Sequence, residues 1–236
     1  MYINEINYKD YFMNSKLKFD CIVIGSGIGG LLVSSILTSK GTKVLLLEKN
    51  SYPGGAYSKL KIKDYEMDLA VSYMLGFEKE GWLSNLFDEI SLKNKVNFAK
   101  IEVPDRYIFP DFEFDLTSDL QILKQKLFLE FPNETTSISE FFLIVKKLYD
   151  AMSKYQSSGK YKIDPIILKY LDVKYIDYIE AHFNDSKLKA ILSARIFGSE
   201  VDFVTMAVYL GKLIIDGLYQ EVSKKYIARV LANNLI

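Results

Sequence analysis

The fold of this chain is decided by the stretch from residue 20 to residue 55, which reads DCIVIGSGIGGLLVSSILTSKGTKVLLLEKNSYPGG. It begins with a short apolar run, 21–24, whose β-branched residues are typical of a strand buried on both faces. Gly25, Gly27 and Gly30 follow with the spacing G-x-G-x-x-G. The first glycine allows a tight turn, the second lets the main chain approach a pyrophosphate, and the third lets helix and strand pack closely.

A helix and a second strand complete this unit. Leucine and isoleucine side chains between residues 31 and 37 give the helix an apolar face, and Gly41 predicts its end. Residues 44–47 form the second strand, which is followed directly by Glu48. A carboxylate at this distance from Gly30 accepts hydrogen bonds from an adenosine ribose, and its charge disfavours the 2′-phosphate of NADP. The stretch therefore predicts a bound dinucleotide.

The segment after Glu48 favours FAD over NAD. Pro53, Gly54 and Gly55 predict a turn, and two short extended segments follow. In an NAD-dependent dehydrogenase we expect the second strand to lead into another α/β crossover instead.

Composition and charge exclude several classes of protein. The 236 residues include 30 Lys plus Arg and 30 Asp plus Glu, so a nucleic-acid footprint is not expected. The single cysteine, Cys21, excludes an intrachain disulfide and is predicted to be an inert buried thiol. Residues 1–18 do not resemble a signal peptide, and no run reaches the roughly 18 apolar residues of a spanning helix. We expect a cytoplasmic protein, with peripheral membrane contact left open.

Beyond residue 80 the sequence predicts mainly helices, with strand-like segments between residues 101 and 114. The block is rich in aromatic residues, which indicates either core packing or a substrate domain whose inner helices line an apolar tunnel. The first predicted helix is 81–90. Ser118 and Gln121 open a helix that ends at Leu129, and Ser137 and Glu140 open one that ends near Tyr155. Another helix starts at Asp164 and Pro165, one at 185–197 is ended by Gly198, and one capped by Ser199 and Asp202 ends near Ile215.

These motifs together resemble the phytoene desaturase, carotenoid isomerase and retinol saturase family of FAD-dependent oxidoreductases. The resemblance begins with DCIVIGSGIGGL, LLEKN and PGG, continues in YEMDLAVSYMLGF with Asp68 and Ser72 at matching places, and includes FEFDLTSDLQILKQKLFLEFPNE. It covers most of residues 19–219.

The resemblance implies an α/β fold: a Rossmann-type FAD-binding domain with an inserted, mainly helical substrate domain, incomplete relative to the family. It implies an extended FAD and an apolar, polyene- or lipid-like substrate that is desaturated, saturated or isomerised. Because the flavin supplies the chemistry, no catalytic residue and no metal site are nominated. The residues expected to bind the cofactor are Gly25, Ser26, Gly27, Ile28, Gly29, Gly30, Glu48, Lys49, Gly54, Gly55 and Ala56.

The same resemblance divides the chain into parts. We expect an N-terminal extension at 1–18, the FAD-binding Rossmann part at 19–80, the mainly helical substrate-type domain at 81–215, and a truncated return to the FAD domain at 216–236. Departures from the family pattern are Ala70 in place of a glycine, and Gln220, Val222 and Ser223 in place of the proline and glycines of a turn. Positive φ angles, which paired glycines allow, are unfavourable for valine and serine.

Three hypotheses about function stay open. The first is that the chain is the N-terminal half of a flavoenzyme, with the C-terminal half supplied by a partner chain or lying outside this sequence. The second is that it is a degenerate, non-catalytic nucleotide-binding or partner subunit. The third is that it is an NAD-dependent Rossmann enzyme.

Several isolated polar residues permit simpler interpretations. His182 is predicted to be a packed or surface residue, and Asp111, Glu113 and Asp115 a solvated strand face rather than a metal site. Arg195 and Lys212 pair with acids or hold a polar substrate head group.

Overall fold

The computed structural model describes residues 2–3, 18–68, 73–78, 81–92, 95–158, 163–196, 198–221, 227–233 and 235. The chain forms two compact units. The first contains Met1–Ala99 and Tyr219–Ile236, and the second contains Lys100–Leu218. The second unit is thus inserted into the first along the sequence, while the predicted division into functional domains stays a prediction.

The described strands, in chain order, are β1 (Tyr2–Ile3), β2 (Cys21–Ile24), β3 (Val44–Leu47), β4 (Lys59–Ile62), β5 (Tyr65–Asp68), β6 (Phe98–Ile101), β7 (Asp105–Ile108), β8 (Glu113–Leu116) and β9 (Leu218–Glu221). The described α-helices are α1 (Ile28–Ser39), α2 (Trp82–Glu89), α3 (Leu120–Glu130), α4 (Thr135–Ser158), α5 (Pro165–Tyr170), α6 (Tyr175–His182), α7 (Ser186–Ser193), α8 (Phe203–Gly211) and α9 (Ile227–Asn233). Gly55–Tyr57 and Pro132–Glu134 are 3₁₀ turns, and Lys212–Asp216 continues α8 as a π-helical turn.

The first unit is built on a parallel sheet with the strand order β1-β3-β2. Cys21 lies opposite Val44 and Ile24 lies opposite Leu47. The prediction that residues 1–18 only precede the first strand is wrong, because Tyr2–Ile3 pair with β3 in parallel. A strand of two residues is too short to show a periodic pattern, so nothing in the sequence indicates it.

The predicted crossover helix connects β2 and β3. Its end follows the sequence prediction: Gly41 has a φ of 85° and its N–H donates to the Thr38 carbonyl at 2.9 Å. The Thr42 N–H donates to the Leu37 carbonyl at 3.0 Å, so two of the last helical carbonyls are satisfied. The α/β fold of Rossmann type is therefore confirmed for this stretch.

The core of the first unit joins β3 to helices α1, α2 and α9. Its fully or almost fully buried members are Leu31, Leu46, Leu83, Phe87, Ile90, Leu92, Val96, Ala228, Val230, Leu231 and Ala232. Helix α9, close to the end of the chain, contacts α1. The core therefore joins residues that are about 200 positions apart in the sequence.

Strand β2 is not buried on both faces, contrary to the prediction. Val23 packs against the core, whereas Ile22 is 59% exposed and Ile24 is 85% exposed. Alternate residues of a strand point to opposite faces, and among the described residues no element covers the second face at β2. Cys21 is partly exposed, so its predicted burial is also wrong.

The second unit combines a hairpin with helices α3 to α8. Strands β7 and β8 pair antiparallel, with Arg106 opposite Asp115. Helix α4 is the longest described helix of the unit and contacts α3, α5 and α8. Phe141 on α4 meets Tyr175, Phe183 and Phe203 edge-on, at ring-centroid distances of 6.3, 5.8 and 6.0 Å. Such edge-to-face contacts add to the stabilisation from burial.

This packing agrees with the core interpretation of the aromatic block. A cavity of about 20 Å³ lies among Leu123, Leu127, Phe142, Ile191 and Leu210. A cavity of this size holds about one water molecule, so it is not a tunnel for a polyene.

In two helices the N-cap residue is an aspartate, where the sequence predicted a serine. Asp119 accepts hydrogen bonds from the Gln121 and Ile122 N–H groups and caps α3, whereas the Ser118 hydroxyl donates to the Ile101 carbonyl. Likewise Asp202, not Ser199, caps α8 through the Thr205 N–H. A carboxylate accepts two main-chain donors at once, which favours aspartate at such positions.

Two further helix boundaries differ from the predictions. Helix α4 begins at Thr135 rather than at Ser137, directly after a 3₁₀ turn. Helix α7 starts next to its N-cap Asp185, where the predicted helix 185–197 begins, but it ends at Ser193, and Phe197 lies outside the described residues. The start of α5 at Asp164 and Pro165 is confirmed.

Candidate dinucleotide-binding site

The candidate site begins where β2 and β3 end side by side. Gly25 follows β2, and its N–H donates a hydrogen bond of 2.7 Å to the carbonyl oxygen of Leu47, the last residue of β3. The φ of Gly25 is 94°, a left-handed conformation that favours glycine. The turn therefore leads directly from the strand to α1.

The third glycine of the motif is required by packing. A Cβ atom at Gly30 would lie 2.0 Å from the Gly25 carbonyl oxygen, so no larger residue fits without displacing the main chain. At Gly27 and Gly29, by contrast, a Cβ atom would meet nothing within 4 Å. The loop thus has open space on the side of Gly27, where a ligand can approach the main chain closely.

The start of α1 suits an anion. Its N-cap is Gly27, which has no side chain to accept hydrogen bonds from the first helical N–H groups. The first turn of the helix contains no acidic residue. N–H groups and the helix dipole at such a terminus favour a negatively charged group such as a pyrophosphate.

The Gly54–Gly55 turn lies against the glycine-rich loop. The Gly54 N–H donates a hydrogen bond of 2.8 Å to the Ser26 carbonyl, and a Cβ atom at Gly55 would lie 3.2 Å from the Gly27 Cα. Gly54 and Gly55 have φ angles of 121° and 58°. A Cβ atom at Gly54 would also lie 3.1 Å from the Cβ of Ala228 on α9. The structure thus brings together two motifs that the sequence separates.

Glu48 is held by the same loop. Its Oε2 atom accepts hydrogen bonds from the Ser26 N–H at 2.7 Å and from the Ser26 hydroxyl at 2.6 Å. Its Oε1 atom accepts one from the Asn50 N–H at 2.8 Å. Burial alone would raise the pKa of Glu48, but these donors lower it below its ordinary value. The carboxylate is thus kept charged at the end of β3.

The remaining candidate residues line the same region with different exposure. Ile28 and Gly29 form the first turn of α1, partly exposed and exposed respectively. Lys49 and Ala56 are exposed, one beside Glu48 and the other in the 3₁₀ turn after Gly54. The contacts of all these residues with a cofactor stay predictions.

Several residues of the resemblance lie outside the described chain. Ala70, Ser72, Val222 and Ser223 are among them. Asp68 is the last residue of β5, and Gln220 is an exposed residue of β9.

Arg195 pairs with an acid, one of the two alternatives that the sequence left open. Its Nε and Nη2 atoms both donate to the Asp105 carboxylate, the latter at 2.7 Å, and Nη1 donates to the Tyr209 hydroxyl. Partial burial lowers the pKa of Arg195, but the hydrogen bonds to Asp105 and Tyr209 raise it more, so its pKa is above the ordinary value. The guanidinium stays charged.

Lys212 also pairs with an acid. Its Nζ atom donates to the Asp216 carboxylate at 2.7 Å, and the Tyr149 hydroxyl donates to the same Oδ2 atom at 2.5 Å. Asp216 lies in the π-helical turn that continues α8, close to the predicted helix end near Ile215. Both cations therefore serve the packing of the second unit.

The described residues hold no group of three or more His, Cys, Asp or Glu that could bind a metal ion. His182 is exposed and stacks on Tyr178 at a ring-centroid distance of 3.9 Å. Asp111 forms an ion pair with Lys187, and Asp115 forms one with Arg106. Strand β8 begins at Glu113, so Asp111 lies outside the strand face on which the sequence placed it with Glu113 and Asp115.

Comparison with known proteins supports the assignment of the first unit. Residues 23–90 match the model of the NAD(P)-binding Rossmann-like domain family. Prolycopene isomerase from Daucus carota is 33% identical over 147 residues, which are 58% of this chain and 22% of the relative. 1-Hydroxycarotenoid 3,4-desaturase from Flavobacterium sp. is 28% identical over 178 residues, 75% of this chain and 33% of the relative.

The predicted family resemblance is confirmed. A third relative, from Danio rerio, is named inactive all-trans-retinol 13,14-reductase and is 30% identical over 61% of this chain and 24% of its own length. The chain thus spans about a fifth to a third of the curated relatives it matches.

Solved structures confirm the fold. Putrescine oxidase matches with a TM-score of 0.58 at 15% identity, over 93% of this chain and 49% of its own. Cyclohexylamine oxidase from Brevibacterium oxydans matches with a TM-score of 0.58 at 13% identity, over 93% of this chain and 50% of its own. The chain therefore has the fold of about half of these proteins. Within the described residues, none of the helices has the length and apolar composition needed to cross a bilayer.

Proposed function

We propose that this chain binds FAD and forms part of an oxidoreductase of the desaturase, saturase or isomerase type. One observation carries the proposal: the glycine-rich loop, Glu48 and the Gly54–Gly55 turn meet at the carboxyl ends of β2 and β3. In open α/β sheets, dinucleotides bind outside the carboxyl ends of the strands.

Each part of this site has a role toward FAD. The N–H groups at the start of α1 would hold the pyrophosphate, and the open space at Gly27 would let it approach the main chain. The Glu48 carboxylate would accept hydrogen bonds from the adenosine ribose. When bound, the flavin supplies hydride transfer, so the chain itself needs to provide only binding and orientation.

The choice of FAD over NAD rests on the path of the chain after β3. The chain turns at Gly54 and Gly55 onto Gly27 and continues into the hairpin of β4 and β5. A second α/β crossover, which an NAD-binding Rossmann half would need, does not follow β3 directly.

The proposed substrate is an apolar polyene or lipid. Relatives are named for prolycopene, a hydroxycarotenoid and retinol, which all have conjugated hydrocarbon chains. Because the chain spans only about half of the solved structures it matches, we propose that the active enzyme includes further polypeptide.

Titration of the purified chain with FAD, followed by flavin fluorescence, tests the cofactor. We expect Gly27→Val and Glu48→Ala to weaken binding, because one blocks the approach of the pyrophosphate and the other removes the ribose acceptor. Glu130→Ala, which removes an exposed carboxylate of the second unit, is the control. Binding of NAD but not FAD would replace the proposal with an NAD enzyme.

A non-catalytic nucleotide-binding subunit is the second candidate. The relative that is named inactive favours it, because a protein similar to this chain is named as lacking the reductase activity. Incubation of the FAD-loaded protein with a reductant and retinol or a carotene, followed by chromatography of the polyene, separates the two candidates. An altered polyene supports the enzyme. Because the proposed enzyme includes further polypeptide, bound FAD with an unaltered polyene supports the subunit when the assay also contains that polypeptide.

A further inference from the structure

Ser26 lies at the bottom of the glycine-rich loop and is completely buried, with 0% of its surface exposed. Its hydroxyl donates to Glu48 Oε2 at 2.6 Å, and its N–H donates to the same atom at 2.7 Å. The two residues are 22 positions apart and follow neighbouring strands. The buried Ser26 hydroxyl thus donates to Glu48, the acidic residue of the candidate site.

These bonds restrict the orientation of the carboxylate. A carboxylate has about four lone-pair positions. The described hydrogen bonds place both Ser26 donors on Oε2 and the Asn50 donor on Oε1. Oε2 is therefore engaged by both donors of Ser26, and Oε1 accepts the Asn50 N–H.

The hydroxyl of Ser26 is separable from its main chain. The Ser26 carbonyl accepts the Gly54 N–H, and this contact between the loop and the turn needs no side chain. Alanine at position 26 would keep both main-chain bonds and lose only the hydroxyl. The side chain is therefore not needed to hold the loop against the turn.

We propose that Ser26 is a positioning residue for the nucleotide, which holds the Glu48 carboxylate in the orientation that accepts the adenosine ribose hydroxyls. The inference rests on the proposed function, because it requires a nucleotide at this loop. In this role Ser26 acts on the ribose through the Glu48 carboxylate.

ADP and 2′,3′-dideoxy-ADP separate this role from a general effect on the loop. Both have the pyrophosphate, but only ADP has the ribose hydroxyls. We expect Ser26→Ala to weaken ADP binding about tenfold, since a hydrogen bond to a charged group is lost, and to leave dideoxy-ADP unchanged. Calorimetric titration of the whole chain measures both affinities.

Glu48→Gln changes the acceptor of the same hydrogen bond. It provides a second test of the proposal if Ser26→Ala does not fold. It should give the same selective loss for ADP. In the double variant the loss should be no larger than for Glu48→Gln alone, because Ser26 acts only through Glu48. Additive losses would overturn the proposal.

The outcomes distinguish the inference from the proposed function. An equal loss for both nucleotides would mean that Ser26 shapes the loop, and unchanged ADP binding would mean that it does not position Glu48. Either result overturns the inference and leaves the binding site in place. If the wild-type chain binds neither nucleotide nor FAD, the proposed function itself fails.

Discussion

The main-chain nitrogen of Gly54 donates a hydrogen bond of 2.8 Å to the carbonyl oxygen of Ser26. This bond joins the turn after β3 to the loop after β2, and it places Gly55 against Gly27. Two segments that each have little structure of their own thus form one surface, and that surface is the candidate site.

Adjacent glycines in α1 should respond oppositely to alanine. Gly30→Ala places a methyl group 2.0 Å from the Gly25 carbonyl, so we expect a loss of about 1–3 kcal/mol in the free energy of unfolding. Gly29→Ala meets no atom within 4 Å and should stabilise the helix by roughly 0.5–1 kcal/mol. Urea denaturation of both variants without cofactor measures the difference. Equal effects would show that the loop packs differently.

The two ion pairs of the β7–β8 hairpin should contribute unequally to stability. The Arg195 and Asp105 side chains are 15% and 24% exposed, whereas those of Arg106 and Asp115 are 59% and 28% exposed. Asp105→Asn should cost about 2 kcal/mol, less than for a fully buried pair, because water screens it in part. Asp115→Asn, the matched control, should cost less than about 1 kcal/mol. Thermal unfolding measures both, and equal losses would contradict the prediction.

Alkaline pH should destabilise the protein through Tyr178. Burial raises the pKa of Tyr178 to about 12 from an ordinary value of 10.0, with smaller contributions in the same direction from Tyr170 and Glu140. The folded state therefore holds the phenol proton more tightly, so the stabilisation is complete below pH 10 and is lost as the pH rises toward 12. As the pH rises from about 9 to 12, the midpoint of urea unfolding should fall less steeply for Tyr178→Phe than for the wild type.

Tyr65→Phe is the control for this titration, since it removes a phenol that is 76% exposed. An identical pH dependence for Tyr178→Phe and the wild type would refute the assignment to Tyr178.

Glu48 should make the first unit sensitive to acid. The donors that lower its pKa are neutral: the Ser26 hydroxyl and the N–H groups of Asn50, Ser26 and Lys49. A carboxyl group with a lowered pKa stabilises the folded state above its ordinary pKa of 4.5, and this is lost as the pH falls through the lower folded value. The stability gap between wild type and Glu48→Gln should therefore shrink below pH 4.5, as measured by urea denaturation. A gap that does not change with pH would exclude Glu48 as the source.

Local patterns predicted the dinucleotide stretch well because its constraints are local. A β-branched run, glycines at fixed spacing and an acid at the end of the second strand depend on neighbours within a few residues. The bounds of β2 and β3 and the end of α1 at Gly41 follow from them. Cap residues were less predictable, because Asp119 and Ser118 are both suitable caps and tertiary contact with Ile101 decided between them.

Burial was the feature that sequence patterns misjudged. The apolar run of β2 indicated burial on both faces, but whether Ile22 and Ile24 are covered depends on elements that are distant in the sequence. The pairing of Arg195 with Asp105 is similar, since 90 positions separate them. The sequence around Arg195 contains no pattern that identifies Asp105 as its partner.

By itself, the sequence determined the Rossmann-type unit, the glycines that must stay glycine, and the family resemblance, because steric limits on φ and close packing act over short stretches of chain. Only the tertiary structure decided that the Gly54–Gly55 turn rests on Gly27, that Ala228 of α9 reaches the same turn, and that Ser26 holds the Glu48 carboxylate. These contacts depend on how the chain folds back on itself, and a linear pattern does not specify that path.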